Sequence, residues 1–156
     1  MGTPFEDAAD ALLYTDNLAF KTRGRSMEPL FREHRDIINI SAVDRELKKG
    51  DVVLYSDKRG ITLILHRVIG FKDGKVIIRG DNNYFIEQQY PEEIIGIMKS
   101  FYREGKYCDV DKSKKYKLYT FWILHSYYLR AAWCKTRLTL GKIKVKLFGE
   151  SKKKQP

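Results

Sequence analysis

The sequence predicts a mainly β protein, a small and strongly bent antiparallel sheet or partial barrel, with a short N-terminal helix and a basic, aromatic C-terminal helix. Three observations carry this. Between residue 19 and about residue 107, brief β-rich runs are separated by turn residues. No helical stretch alternates with those runs, so there is no βαβ rhythm and no parallel sheet. Charge and aromatic content then change abruptly near residue 111.

Taken in order, residues 4–18, PFEDAADALLYTDNL, place Ala and Leu at helical spacing with acids in the first turn, the pattern of a short amphipathic helix. DIINIS (36–41), DVVLYS (51–56), ITLILHRVIGF (61–71), KVIIRG (75–80) and EIIGIMKSFYR (93–103) read as five strands. KKGD, DKRG, KDGK and GDNN mark the turns between them, and Lys72-Asp73-Gly74-Lys75 is a hairpin signal. From Asp111 onward, YKLYTFWILHSYYLRAAWCKTRL lacks Gly and Pro until Gly141 and reads as a helix of several turns. The closing GESKKKQP has the composition of a disordered tail. The organisation is a helix over 1–18, a β domain over 19–110 and a basic aromatic helical tail over 111–156.

At 156 residues, with 32% charged and 43% hydrophobic residues, the chain suffices for one compact domain plus an appendage. Cys108 and Cys134 fit no metal or redox spacing and read as free thiols. His34, His66 and His125 are isolated from one another, so neither a metal nor another cofactor is expected. The net charge of +10 is confined to one end: residues 111–156 hold 13 basic and 2 acidic residues, while residues 1–110 hold 17 and 18. Such an asymmetry points to an anionic partner for the tail. Its aromatic run from Leu118 to Trp133, flanked by lysines, suits a helix lying among lipid headgroups, and equally a helix that covers the β domain with its apolar face. A surface that binds acidic leader peptides is a third reading. The tail has no recognisable DNA-reading helix, so specific nucleic-acid binding is not expected. The acidic N-terminus lacks a cationic leader, and no run of 18 uncharged apolar residues occurs, which predicts a cytoplasmic protein, peripheral on the inner face of the membrane if the tail binds lipid.

The stretch Gly24-Arg25-Ser26-Met27-Glu28-Pro29-Leu30 raises the question of a nucleophile. A serine hydroxyl attacks only when a neighbouring base removes its proton and when donors await the oxyanion. His66, inside the apolar strand ITLILHRVIGF, is the best base: a rigid sheet would hold it, partly desolvated, with its pKa near working pH. A histidine alone in such a strand is more often a core residue, and it gains weight only when the segments are taken together.

GRSMEPLF, KKGDVVLY, ILHRVIGF and IRGDNN follow one another within 60 residues. The set resembles the superfamily of signal peptidase I and the LexA-type self-cleaving peptidase domains, over about residues 20–104. Those enzymes carry an SMxP nucleophile motif, a GD-plus-strand motif and a base-bearing strand ending in [KH]RV, and a GDN turn follows in the signal peptidases. With His66 at the base position, this chain is most similar to the endoplasmic-reticulum and archaeal type, which uses histidine where others use lysine. With only 25 mostly polar residues ahead of Ser26, that type's N-terminal membrane anchor is not expected here. The resemblance implies a serine endopeptidase with Ser26 and His66 as its catalytic pair, a peptide or precursor protein as substrate, bound as an added strand, and a role in maturing a secreted peptide.

A third residue would fix the imidazole tautomer. Asp81, in the GDN turn, is slightly favoured over Glu87, since this chain departs from the family pattern after that turn. The oxyanion donors are expected to be the backbone N–H groups of Arg25 and Ser26, with Gly24 permitting the tight backbone. Pro29 would stiffen the turn, and Met27 would pack into the sheet. Two alternatives share the fold: a non-catalytic peptide-binding or membrane-peripheral scaffold, and a LexA-type self-cleaving regulator, for which 25 residues ahead of Ser26 cannot hold a DNA-binding domain.

Overall fold

A computed structural model describes residues 17–57 and 59–129, together with Leu12, Thr15, Ala132 and Thr136. Eight strands follow in order: β1 (Leu18–Lys21), β2 (Ile37–Ser41), β3 (Val52–Ser56), β4 (Leu63–Lys72), β5 (Lys75–Arg79), β6 (Glu87–Gln89), β7 (Ile94–Arg103) and β8 (Lys106–Asp109). A 3-10 turn, Pro91–Glu93, leads into β7, and the helix α1 (Lys114–His125) follows β8. The strands form one antiparallel sheet in the order β1-β2-β7-β3-β4-β5-β6, with β8 pairing the far half of β7. It is curled into a half-barrel, as the sequence predicts.

The curl has visible causes. The register slips at Asn39/Ile40, at Leu54/Tyr55 and between Val68 and Gly70. Each such bulge bends its strand and increases the local twist. The long strands also change partners along their length: β4 pairs β3 through Arg67 and β5 from Arg67 onward. The Lys72–Lys75 hairpin turns through Asp73 (φ 51°) and Gly74 (φ 73°), the left-handed pair of a two-residue turn. Glu104 (φ 52°) and Gly105 (φ 75°) repeat it between β7 and β8.

The sheet buries both faces, which is why DVVLYS is continuously apolar rather than alternating. Val52 and Leu54 join one core with Met27, Leu30, Phe31, Ile38, Ile40, Met98 and Phe101. Val53 and Tyr55 join a second with Val68, Val76, Ile78 and Ile94. Each fully buried aliphatic side chain here contributes about 1.5–3 kcal/mol.

All five expected strands are present, each within two residues of its expected ends. Three were not expected: β1, which begins at Leu18 where the sequence suggests a helix end, and the short β6 and β8. The expected helix over 4–18 otherwise lies outside the described residues, apart from Leu12, which is helical and packs into the first core. The tail helix starts at Lys114, N-capped by Ser113 Oγ, which accepts from Tyr116 N–H at 3.2 Å. Its continuation beyond Leu129, Cys134 and the closing GESKKKQP lie outside the described residues, while Cys108 is a free thiol.

Candidate active site

β3, β4, β5 and β6 lie side by side, and their register brings the chemistry-bearing side chains together. His66 on β4 stands opposite Val53 on β3, so Tyr55, two residues further along β3, is its diagonal neighbour on the same face. Across the sheet, Val68 pairs Ile78 and Ile78 pairs Glu87, which puts Glu87 on that face too. Tyr55 Oη lies 2.9 Å from His66 Nδ1 and donates to Glu87 Oε2 at 2.5 Å. Glu87 Oε1 lies 3.4 Å from His66 Nδ1. His66 is only 4% exposed. Burial pulls its pKa below the ordinary histidine value, with the charges of Glu87 and then Asp81 opposing part of that shift.

The other ring nitrogen faces the serine loop. One step beyond the last registered pair, Arg67 with Arg79, the position opposite His66 is Gly80. A Cβ placed on Gly80 would lie 3.0 Å from His66 Nε2 and 2.7 Å from the Ser26 carbonyl oxygen. Those two atoms therefore lie within about 5.7 Å of each other, the sum of those two separations. No hydrogen bond joins Ser26 Oγ to His66 among the described residues.

The GDNN turn clamps the serine loop in place. Asn82 N–H donates to Ser26 O at 2.7 Å and Asn82 Nδ2 to Arg25 O at 3.0 Å. From below, Met27, Leu30 and Phe31 are buried, and Phe31 packs edge-on against Phe101 with ring centroids 5.0 Å apart. Met27 packs where the sequence places it. Gly24 adopts φ 78°, and its N–H donates to Glu33 Oε1 at 3.0 Å. The N–H groups of Arg25 and Ser26 donate to no other described residue. In the trans Arg25–Ser26 peptide the Ser26 N–H points opposite to the Arg25 carbonyl that Asn82 holds, hence away from the turn.

The two acids divide. Glu87 faces His66 Nδ1, whereas Asp81 is engaged by Arg67: Oδ1 accepts from Nε at 2.8 Å and Oδ2 from Nη2 at 2.7 Å, with both side chains fully buried. Burial works against the charge on Arg67, but Asp81 outweighs it and holds the guanidinium pKa above its usual value. Arg67 Nη1 also donates to Gly50 O, Tyr116 Oη and Thr120 Oγ1, and Tyr119 Oη donates to Asp81 Oδ2 at 3.0 Å. The slight preference for Asp81 as partner of the histidine thus gives way to Glu87, because a buried guanidinium on the next residue of the strand claims Asp81 first.

Sequence reasoning missed two residues. Arg67 carried a signal: an arginine inside an apolar strand must find a buried acid. Tyr55 carried a weaker one, being a polar-tipped residue where a fully buried central strand should end apolar.

Beside Ser26 runs a groove of about 390 Å³, lined by Phe20 of β1 and Thr22 just after it, by Met27, and by Leu63 and Leu65 of β4. Two strand edges border it. Among the described residues β1 pairs only β2, and Leu63 to His66 pair only β3.

α1 has two faces. Tyr116, Thr120 and Ile123 turn inward against the sheet, while Leu118 is 70% exposed, Phe121 60% and Trp122 49%. With Lys115, His125 and Leu129 these line a shallow apolar groove of about 780 Å³. Among the described residues no helix is long and apolar enough to cross a membrane, and no cluster of His, Cys, Asp and Glu is arranged to hold a metal ion.

Compared with family models, with curated proteins and with solved structures, the chain matches none.

Proposed function

We propose that the protein is a serine endopeptidase of the signal peptidase-like type, with Ser26 as nucleophile and His66 as general base, acting on a peptide or precursor protein. The observation that carries this reading is the meeting of His66 Nε2 and the Ser26 loop over the bare Cα of Gly80, with an acid on the opposite ring nitrogen. Ser26 Oγ attacks the scissile carbonyl carbon as its proton passes to His66 Nε2. The backbone N–H groups of Arg25 and Ser26 receive the oxyanion. The tetrahedral adduct collapses, and the departing amine takes the proton from His66. Water then gives a proton to His66, attacks the acyl group and restores the serine hydroxyl. Glu87 balances the imidazolium in both halves.

The groove between the β1 edge and the first half of β4 supports an extended substrate, since both edges lack a further strand among the described residues and the floor is apolar. Maturation of a secreted peptide on the cytoplasmic side is the setting that fits this reading.

The outer face of α1 supports attachment to an anionic lipid surface. Lys114, Lys115 and Lys117 stand exposed in its first turn, at the positive pole of the helix, where cations are disfavoured unless an external anion meets them. Exposed Leu118, Phe121 and Trp122 lie directly beside them.

The peptidase reading is tested by digesting a proteome-derived peptide library and sequencing the new termini. A set of termini produced by the wild type, and absent with Ser26→Ala and with His66→Ala, supports it. Folded wild-type protein that cuts nothing favours a non-catalytic scaffold instead.

A further inference from the structure

We propose that Tyr55 is a positioning residue: its hydroxyl, set between His66 and Glu87, holds His66 in the tautomer that leaves Nε2 as the proton acceptor. The tautomer part of this stands on geometry alone, while its catalytic consequence rests on the peptidase reading above.

The number of protons available fixes the arrangement. A carboxylate only accepts hydrogen bonds, and a phenol has one proton to give. Tyr55 directs that proton to Glu87 Oε2 at 2.5 Å, a charge-assisted bond. The 2.9 Å contact between Tyr55 Oη and His66 Nδ1 must then be filled from the other side, with Nδ1–H donating to the phenol oxygen. The neutral ring has one N–H, so Nε2 carries a lone pair. Nε2 is the atom that meets the Ser26 loop.

The phenol keeps its proton throughout, because burial and then the Glu87 carboxylate push its pKa far upward. When His66 takes the Ser26 proton, its Nδ1 proton stays where it was. The new positive charge faces Glu87 Oε1 at 3.4 Å. Tyr55 from β3 is the other polar group in contact with the ring, and Asp81, in the turn after β5, acts on it through its charge.

The placement also explains why a tyrosine is needed. Glu87 belongs to β6, a three-residue strand at the sheet edge with a partly exposed side chain. Edge strands open more readily than central ones. Tyr55 lies on β3, inside the sheet between β7 and β4, and is fully buried. It fixes the position of the imidazole from inside the sheet, while the tautomer is set as long as Glu87 accepts the phenol proton.

The test is ¹⁵N NMR of the histidine rings in the full chain at about pH 8, where a histidine near its reference pKa is neutral. His66 is assigned by its loss in His66→Gln. The expected wild-type spectrum has pyrrole-type Nδ1 and pyridine-type Nε2; the reverse assignment overturns the proposal without any substrate. In Tyr55→Phe, which keeps the ring volume, the two shifts move toward each other as tautomers mix. On a peptide found in the library digest, kcat falls at least about tenfold with KM within about twofold. Ring shifts unchanged in Tyr55→Phe also overturn it. The expected tautomer in a protein that cleaves nothing keeps the tyrosine's role and removes the peptidase reading.

Discussion

His66 and Arg67 are consecutive on β4 and therefore serve opposite faces of the sheet, each with its own acid: Glu87 for the imidazole, Asp81 for the guanidinium. One strand thus carries the proposed base and a buried ion pair side by side. The two acids should fail differently. Asp81→Asn strands a fully buried guanidinium and should cost about 3–5 kcal/mol in urea unfolding. Glu87→Gln, at a partly exposed position, should cost less than about 1.5 kcal/mol while lowering kcat at least about tenfold. Equal destabilisation by both changes would contradict this division.

The pH profile follows from the lowered His66 pKa. Burial depresses it, so the base form persists at pH 7 and cleavage should decline only as pH falls below the reference value of about 6.5. Glu87 raises the pKa against that burial, so Glu87→Gln should move the acidic limb to lower pH. Stability has the same sign. The unfolded chain binds the His66 proton more readily, so the wild type loses stability as pH drops from about 6.5 through the folded-state value. An acidic limb that moves upward in Glu87→Gln would show that another group controls it.

Gly80 tests the packing of the site. A Cβ there meets Ser26 O at 2.7 Å, Asn83 Nδ2 at 2.8 Å and His66 Nε2 at 3.0 Å, whereas one on Gly70 meets nothing within 4 Å. Gly80→Ala should lower activity at least about tenfold and destabilise the fold by about 1–3 kcal/mol. Gly70→Ala should leave cleavage unchanged. Full activity in Gly80→Ala, measured on a library-derived peptide, would contradict the described closeness of the two loops.

Removing the whole tail is a poor test of lipid binding, because α1 covers the Arg67–Asp81 pair. Leu118→Ser with Phe121→Ser and Trp122→Ser alters only exposed positions. The triple variant should keep the wild-type circular dichroism and lose at least about tenfold in affinity for vesicles containing phosphatidylglycerol. Wild-type protein that fails to sediment with those vesicles would remove the lipid reading and leave a peptide or protein partner for that face.

The bent sheet was legible because its five main strands are long, β-branched and divided by turn residues. β6 and β8 were not, since three or four residues such as Glu87-Gln88-Gln89 hold no periodicity of their own and become strands only by pairing with β5 or β7. β1 was hidden by the apolar spacing of the segment before it. Ser26 and His66 could be chosen because motif order links them. The roles of Asp81 and Glu87 could not be separated, because what separates them is the buried Arg67, and a burial partner on the opposite face is a tertiary fact. The two-sided tail was half legible: its composition suited both an inward and an outward face, and the helix presents both.

The central claim, proton transfer between position 26 and His66, can be measured without any substrate. In Ser26→Cys, the rate of iodoacetamide alkylation at position 26 is followed against pH, with mass spectrometry separating that site from Cys108 and Cys134. A neighbouring imidazole stabilises the thiolate, so alkylation should titrate clearly below the ordinary thiol value of about 8.5 and return to it when His66→Ala is added. A thiol that titrates near 8.5 with His66 intact would contradict the account.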